Sequence, residues 1–316
     1  MLTVSNYHYI RDDFTTPYPS IFGVTPTFFK EQLLAIKEIG TYITPQELLE
    51  NYDEVIKSPT NYVLITFDDG LKEQYLKAKP ILDALDVKAL FFINSLNFIE
   101  KEVTLVHKIH LLRSQMSTSD FFDILKKFDA KGKTQLSDKE KKQAVVHYNY
   151  DDEETACLKF TLNFKLSLQE QHNLIQTIFD AHFDSHQVVN DLYMTEEHLI
   201  QLAKEGMLGN HTHSHVPLGY LDRHEIMKEF VTSKNYLEQL TNQGIPYVSY
   251  PYGSQEACAS PVDEIAKNTG HQLGFTMERS INTGNEHPLL LKRFDCNDLP
   301  LGKNQKAFEH AHRLIH

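Results

Sequence analysis

The stretch NYVLITFDDG, residues 61–70, constrains the fold of this 316-residue chain more than any other. Its apolar, β-branched run reads as a buried strand, and the strand stops at two adjacent carboxylates, Asp68 and Asp69. LKEQYLKAKPILDAL follows with a helical period, disturbed at Pro80, and VKALFFIN is a second buried strand. Strand, helix and strand in succession predict a βαβ unit and a parallel sheet. In parallel α/β folds, sites assemble at the C-terminal ends of strands, which is where the two aspartates stand.

The same alternation runs through most of the chain. MLTVSNYHYI begins as a strand, and TPTFFKEQLLAIKEIG has helical spacing, with Phe28, Phe29, Leu33, Leu34 and Ile36 apolar and Gly40 as the expected stop. Later, TEEHLIQLAKEG predicts a helix capped by Thr195 and ended by Gly206. MLGNHTHSH is a short strand running into a loop, and a long helix then ends at Gly244. PYVSYPYG, HQLGFTM and PLLLKRFDC read as strands, and SPVDEIAKNTG as a helix. From about Thr104 to Tyr193 the pattern is different. KIHLLRSQM, FFDILKKF and QEQHNLIQTIFDAHF are amphipathic helices, there is one glycine (Gly132), and no strand is evident. The expected organisation is therefore an alternating α/β part from residues 1–103 and 194–316, with residues 104–193 as a helical insertion. That insertion would serve as a lid, a packing element or a homo-oligomer contact.

Charge and cysteine content narrow the function. A formal net charge of −12 gives no field that attracts phosphate backbones, so no nucleic-acid partner is expected. Cys157, Cys258 and Cys296 are far apart and form no CxxC, which disfavours both a disulfide framework and a thiolate zinc site. The first residues, MLTVSNYHYIRDD, lack a basic stretch leading into an apolar core, and no apolar run approaches the roughly 18 residues of a membrane span. A cytoplasmic protein with no membrane span is expected.

The chemistry concentrates in two stretches. Asp68 and Asp69 are neighbours on an extended segment and so point in opposite directions, which lets one bind a metal while the other faces a substrate. Residues 209–215, GNHTHSH, carry His211, His213 and His215. If the segment stays extended, all three histidines share a face. If it turns helical after His211, His211 and His215 share one and His213 points away. Spacing alone does not choose between these.

TFDD followed downstream by HTHSH and then by SYPYG, residues 249–253, resembles the first three motifs of the polysaccharide deacetylase family, the NodB-homology or carbohydrate esterase 4 type. The resemblance covers the alternating parts of the chain and not the helical insertion. It implies an α/β fold, a distorted (β/α)7 barrel. It implies Asp68 as general base, and Asp69, His211 and His215 as ligands of a divalent metal. It also implies that the backbone N–H of Tyr252 stabilises an oxyanion. Two imidazoles and one carboxylate leave an open position on zinc, the expected metal.

The chain departs from the family in its later motifs. The usual arginine of the third motif is Ser249 here, the Asp-Trp pair of the fourth has no counterpart because the chain has no tryptophan, and no Leu-x-His strand follows residue 253. A Leu-x-His at residues 314–316 is read as chance. The first and last strands of a closed barrel are neighbours, so His8, at the end of the N-terminal strand, is the candidate acid. That arrangement resembles the circularly permuted subgroup acting on poly-N-acetylglucosamine. Arg293 is the candidate replacement for the missing arginine, orienting Asp68. Tyr7, Tyr250 and Pro251, with Tyr9 and Tyr252, are the candidate sugar contacts.

The expected function is metal-dependent hydrolysis of an N-acyl group, with acetyl the expected acyl group, from an amino sugar or glycan precursor. The alternatives are a catalytically inactive domain that binds a glycan, an amino-sugar deformylase, and a non-haem iron oxygenase built on the same ligand set.

Overall fold

The computed structural model describes residues 1–128, 132–148 and 151–313. The chain divides into two compact units. One comprises Met1–Asp13, Gly23–Glu102 and Val189–His316, and the other Phe14–Phe22 and Val103–Val188. Residues 14–22 thus group with the helical unit, a partition the sequence pattern does not display. Among the described residues, no helix is long and apolar enough to cross a membrane.

The first unit holds every strand among the described residues. These are β1 (Leu2–Tyr7), β2 (Tyr9–Ile10), β3 (Gly23–Val24), β4 (Thr41–Tyr42), β5 (Tyr62–Phe67), β6 (Ala89–Ile93), β7 (Leu208–Asn210), β8 (Tyr247–Ser249), β9 (Leu273–Phe275) and β10 (Phe294–Asp295). The main sheet runs β10-β1-β5-β6-β7-β8-β9, with β4 beside the first residues of β5, and every pairing in it is parallel. Strands β2 and β3 form a separate pair. Helices Lys79–Ala84, Glu196–Lys204, Arg223–Thr241 and Val262–Asn268 lie between successive strands, as parallel connections require.

The sheet curls back on itself. Residues 288–291 bond to β9 through Gly274 N–H to the Pro288 carbonyl, Leu291 N–H to the Gly274 carbonyl and Thr276 N–H to the Leu291 carbonyl. The same segment continues into β10, which pairs with β1. This is the distorted (β/α)7 barrel that the motifs imply. The final strand is shorter than PLLLKRFDC suggests, because Leu291 contributes only an isolated bridge to Phe275.

Alternation along the strands fills the barrel in layers. Leu2, Val4, Leu64, Phe92, Phe275 and Leu291 belong to one buried cluster inside the curl. Gly209 is part of that fit, because a Cβ there would lie 2.4 Å from the Phe92 ring. The opposite faces of β5 and β6 carry Ile65, Phe67, Phe91 and Ile93, which pack with Phe29, Leu33 and Ile36 of helix Pro26–Lys37. Continuing the inward parity toward the C-terminal edge, apolar side chains give way to Asn6, Thr66, Asp68, His211, Ser249 and Arg293, all buried. The apolar plug below and the polar layer above follow from the period of two.

Several sequence expectations change locally. Leu34 is 45% exposed rather than part of the packed face of its helix. Helix Pro26–Lys37 ends on Glu38, before Gly40, and helix Arg223–Thr241 ends on Asn242 in the left-handed region rather than at Gly244. The disturbance expected at Pro80 is a wide i→i+5 turn, Gln74–Ala78, immediately before helix Lys79–Ala84.

The second unit is helical: Leu105–Gln115, Thr118–Phe128, Asp138–His147, Glu153–Phe160 and Leu168–Asp180, with no strand among its described residues. Ser137 with Glu140 and Ser167 with Glu170 form capping boxes that satisfy first-turn N–H groups. Leu112, Phe121, Leu158, Ile175 and Phe179 are buried within it.

Candidate active site

The site is at the C-terminal mouth of the barrel, where the inward parity is polar. Asp68 follows β5 directly and is 3% exposed. Arg293, 0% exposed, grips it with two parallel bonds, Nη1 to Oδ1 at 2.9 Å and Nη2 to Oδ2 at 2.8 Å. Asn6 on β1 donates to Oδ2 at 2.9 Å. Burial pushes the Asp68 carboxyl up, but Arg293, with His211 and His8 adding to the field, holds it well below the ordinary carboxylate range. The remaining Arg293 donors reach the Thr276 carbonyl, Thr66 Oγ1 and Ser249 Oγ, so this buried cation is fully bonded. The guanidinium therefore lies against Ser249, the position where the resembled motif has its own arginine.

Asp69 turns away with φ 78. His211 Nε2 is 3.5 Å and His215 Nε2 3.3 Å from Asp69 Oδ1, and the three donor atoms all lie within 4.8 Å of one another. A tetrahedral metal with bonds of about 2.0–2.2 Å needs ligand atoms roughly 3.3–3.6 Å apart. The two measured spacings match that edge length. His211 Nδ1 lies 2.8 Å from the Ser249 carbonyl, which can only accept. Nδ1 is thus the donor to that carbonyl, and Nε2 is the ring nitrogen that faces Asp69 and is left for a metal. These three residues fit a divalent metal.

His213 is engaged elsewhere. Its Nδ1 bonds Ser95 Oγ at 2.8 Å and its Nε2 approaches Glu100 at 3.2 Å. The loop reverses direction at Thr212 (φ 65) and His215 (φ 58), which is neither the extended nor the helical alternative. Left-handed conformations of non-glycine residues each cost on the order of 1 kcal/mol or more. Glu229, on helix Arg223–Thr241, supports them by accepting from His213 N–H (3.0 Å), Ser214 N–H (2.8 Å) and Ser214 Oγ (2.6 Å). Asn210 Oδ1 accepts from Thr212 N–H at 2.8 Å. Sequence reasoning missed Glu229, because an acid on a helix surface is ordinarily solvated. It also missed Asn6, although the inward parity of β1 pointed to it.

His8 follows β1, the neighbour of β5, and is close enough to add to the field on Asp68. Tyr252 has φ 62, and among the described residues nothing accepts a hydrogen bond from its N–H. The residue is 51% exposed, and its ring stands 5.2 Å from that of His215. The other expected sugar contacts are corrected by burial. Tyr7 is 0% exposed, packs on Phe29 and Phe67 and donates to Gln32. Tyr250 is 0% exposed and donates to the Leu289 carbonyl, while Tyr9 and Pro251 are also buried. None of these four offers a face to a sugar ring. His316, of the Leu-x-His at 314–316, lies outside the described residues.

A curled parallel barrel of this kind is the fold of solved carbohydrate and related deacetylases. The Streptococcus pyogenes deacetylase PplD, solved in complex with acetate, shares 16% identity, with 98% of this chain and 97% of that one covered at a TM-score of 0.55. IcaB from Ammonifex degensii shares 17%, with 97% and 95% covered at 0.54. A de-N-acetylase from Aggregatibacter actinomycetemcomitans shares 14%, with 97% and 99% covered at 0.54. At these identities the likeness is one of fold. The family is given by sequence: residues 56–276, more than half of the chain, match the polysaccharide deacetylase model, and the chain belongs to that family. That range contains Asp68, Asp69, His211, His215 and Tyr252, whereas His8, Asn6 and Arg293 lie outside it. No curated protein sequence matches the chain.

Proposed function

We propose that the protein removes N-acetyl groups from an amino sugar within a glycan or glycan precursor, using a divalent metal held by Asp69, His211 and His215. The observation that carries this reading is the pairing at the barrel mouth. An arginine-locked carboxylate, Asp68, stands one residue from a carboxylate that shares a tetrahedral-edge spacing with two imidazoles. An iron oxygenase has no use for the first carboxylate, and hydrolysis does.

When bound, a divalent metal polarises the amide carbonyl and lowers the pKa of water. The chain's own residues do the rest. Asp68, held toward its ionised form by Arg293, accepts the proton of the attacking water, and its bidentate pairing fixes the direction from which it does so. The Tyr252 N–H, free of any ladder bond, is the donor for the oxygen that becomes negative in the tetrahedral intermediate. His8 delivers a proton to the leaving nitrogen, which departs poorly as an anion; the acid thus comes from the N-terminal strand, as in a permuted member of the family. The exposed Tyr252 ring is a stacking surface for the sugar at the mouth.

The test is acetate release from short N-acetylglucosamine oligomers and from smaller N-acetylated amino-sugar precursors. Turnover should stop on chelation and return with added divalent metal. Turnover that persists in the metal-stripped protein, or that requires oxygen, rules the reading out.

A further inference from the structure

The acid and base proposed above belong to adjacent strands whose ladder ends just short of both. Strands β1 and β5 pair in register up to Tyr7 and Phe67, and Asp68 N–H adds a bond to the Tyr7 carbonyl at 3.1 Å. Beyond that point the two chains part. Residues 9 and 10 leave to pair with β3, and Asp69 turns into the left-handed region. The carbonyls of His8 and Asp68 are thus the first groups past the end of the ladder.

One side chain takes both. Gln74, 0% exposed, donates from Nε2 to the Asp68 carbonyl at 2.6 Å and to the His8 carbonyl at 2.9 Å. Its neighbour Glu73 accepts from Ile10 N–H at 2.9 Å and from Arg11 Nε at 2.7 Å. Residues 73 and 74 therefore grip the His8 segment on both sides. They stand at the entry to the wide turn Gln74–Ala78, a geometry found more often at functional sites than in ordinary helices. The arrangement also carries a cost, because Gln74 Oε1 is buried with no hydrogen-bond partner among the described residues. A buried orphan acceptor weakens the native state, and its retention calls for a reason other than stability.

We infer that Gln74 is a positioning residue that sets the acid, His8, in register with the base, Asp68. The inference rests on the deacetylase reading. Gln74 touches no reacting atom; it acts by extending the β1–β5 ladder one step with a side-chain amide.

The experiment compares Gln74→Met, of similar length but without the donors, with the unaltered protein. The substrates are an N-acetyl amino-sugar amide and an acetate ester of a nitrophenol. The ester's leaving group needs little protonation, so its turnover does not depend on where the acid stands. Metal content should be unchanged in Gln74→Met, and KM for the amide should move little. Amide kcat should fall about 10²-fold, the loss a 1 Å misplacement typically brings, while ester kcat falls less than about threefold. His8→Ala combined with Gln74→Met should be no worse on the amide than His8→Ala alone. Gln74→Asn, which keeps the amide on a shorter stem, should lie between, and it serves if the methionine variant does not fold. Equal losses on amide and ester, loss of metal, or additive losses in the double variant would overturn the inference and leave the deacetylase reading intact. An unaltered, metal-loaded protein that releases no acetate from any amino sugar would remove the reaction, and with it the role of Gln74.

Discussion

Arg293 brings a guanidinium, from far along the chain, to the place where the third motif has Ser249. Ser249 cannot orient a carboxylate, but its hydroxyl accepts from the same Nη2 that holds Asp68 Oδ2. Replacing Arg293 by Met should leave Asp68 buried without its counter-ion and destabilise the fold by about 3–5 kcal/mol near neutral pH, read from denaturant unfolding. The pH sign follows from the depressed carboxyl. The pairing is fully stabilising above the unfolded carboxylate pKa of about 3.9, and it is lost as pH falls below that toward the lower native value. The stability gap between the two proteins should therefore narrow below pH ~4. A gap independent of pH would mean that packing, not charge, accounts for it. At the proposed metal ligands, His215→Ala should lower metal content sharply and His213→Ala should not. His8→Ala should slow amide turnover by about 10²–10⁴-fold and an activated ester much less.

The elements explain which of these residues the sequence could announce. TFDDG and the strands around it were legible because buried parallel strands write continuous apolar runs and their polar ends stand out. The HTHSH loop was legible as a cluster but not in its geometry. Its choice of His211 and His215 depends on two left-handed residues and on Glu229, which sits sixteen residues past His213 in a helix. Glu229→Ala keeps all three ligands yet should weaken metal binding by about 10–100-fold, as loss of supporting bonds does elsewhere, and a metal titration would read this directly. His271, just before β9, constrains the same loop through Asn210. Asn210 Nδ2 donates to its Nε2 at 3.1 Å, and burial pushes this histidine down to about 3. The unfolded chain therefore takes up the proton first. Stability should fall by about 1.4 kcal/mol per pH unit from this residue as pH drops from about 6.5 toward 3. His271→Gln should flatten that slope, and an unchanged slope would place the acid sensitivity elsewhere.

At the scale of the whole molecule, the closed curl is what the sequence conveys least directly and what matters most to the site. His8, Asp68 and Arg293 are separated by most of the chain, and only the adjacency of β10, β1 and β5 makes them neighbours. The α/β class could be anticipated from alternation and the barrel from the resemblance of the motifs, whereas the buried Tyr7 and Tyr250 could not be told from exposed tyrosines at strand ends. Aromatic residues suit both places. The helical unit wrote its helices plainly, but its inclusion of residues 14–22 left no compositional trace. The central claim, that an arginine-held base works beside a carboxylate–dihistidine metal site, has one most direct measurement. It is acetate release from an N-acetylated amino-sugar oligomer by Asp68→Asn, with metal content determined on the same preparation. The account predicts metal bound as in the unaltered protein and no acetate released. Turnover surviving in that variant would contradict it.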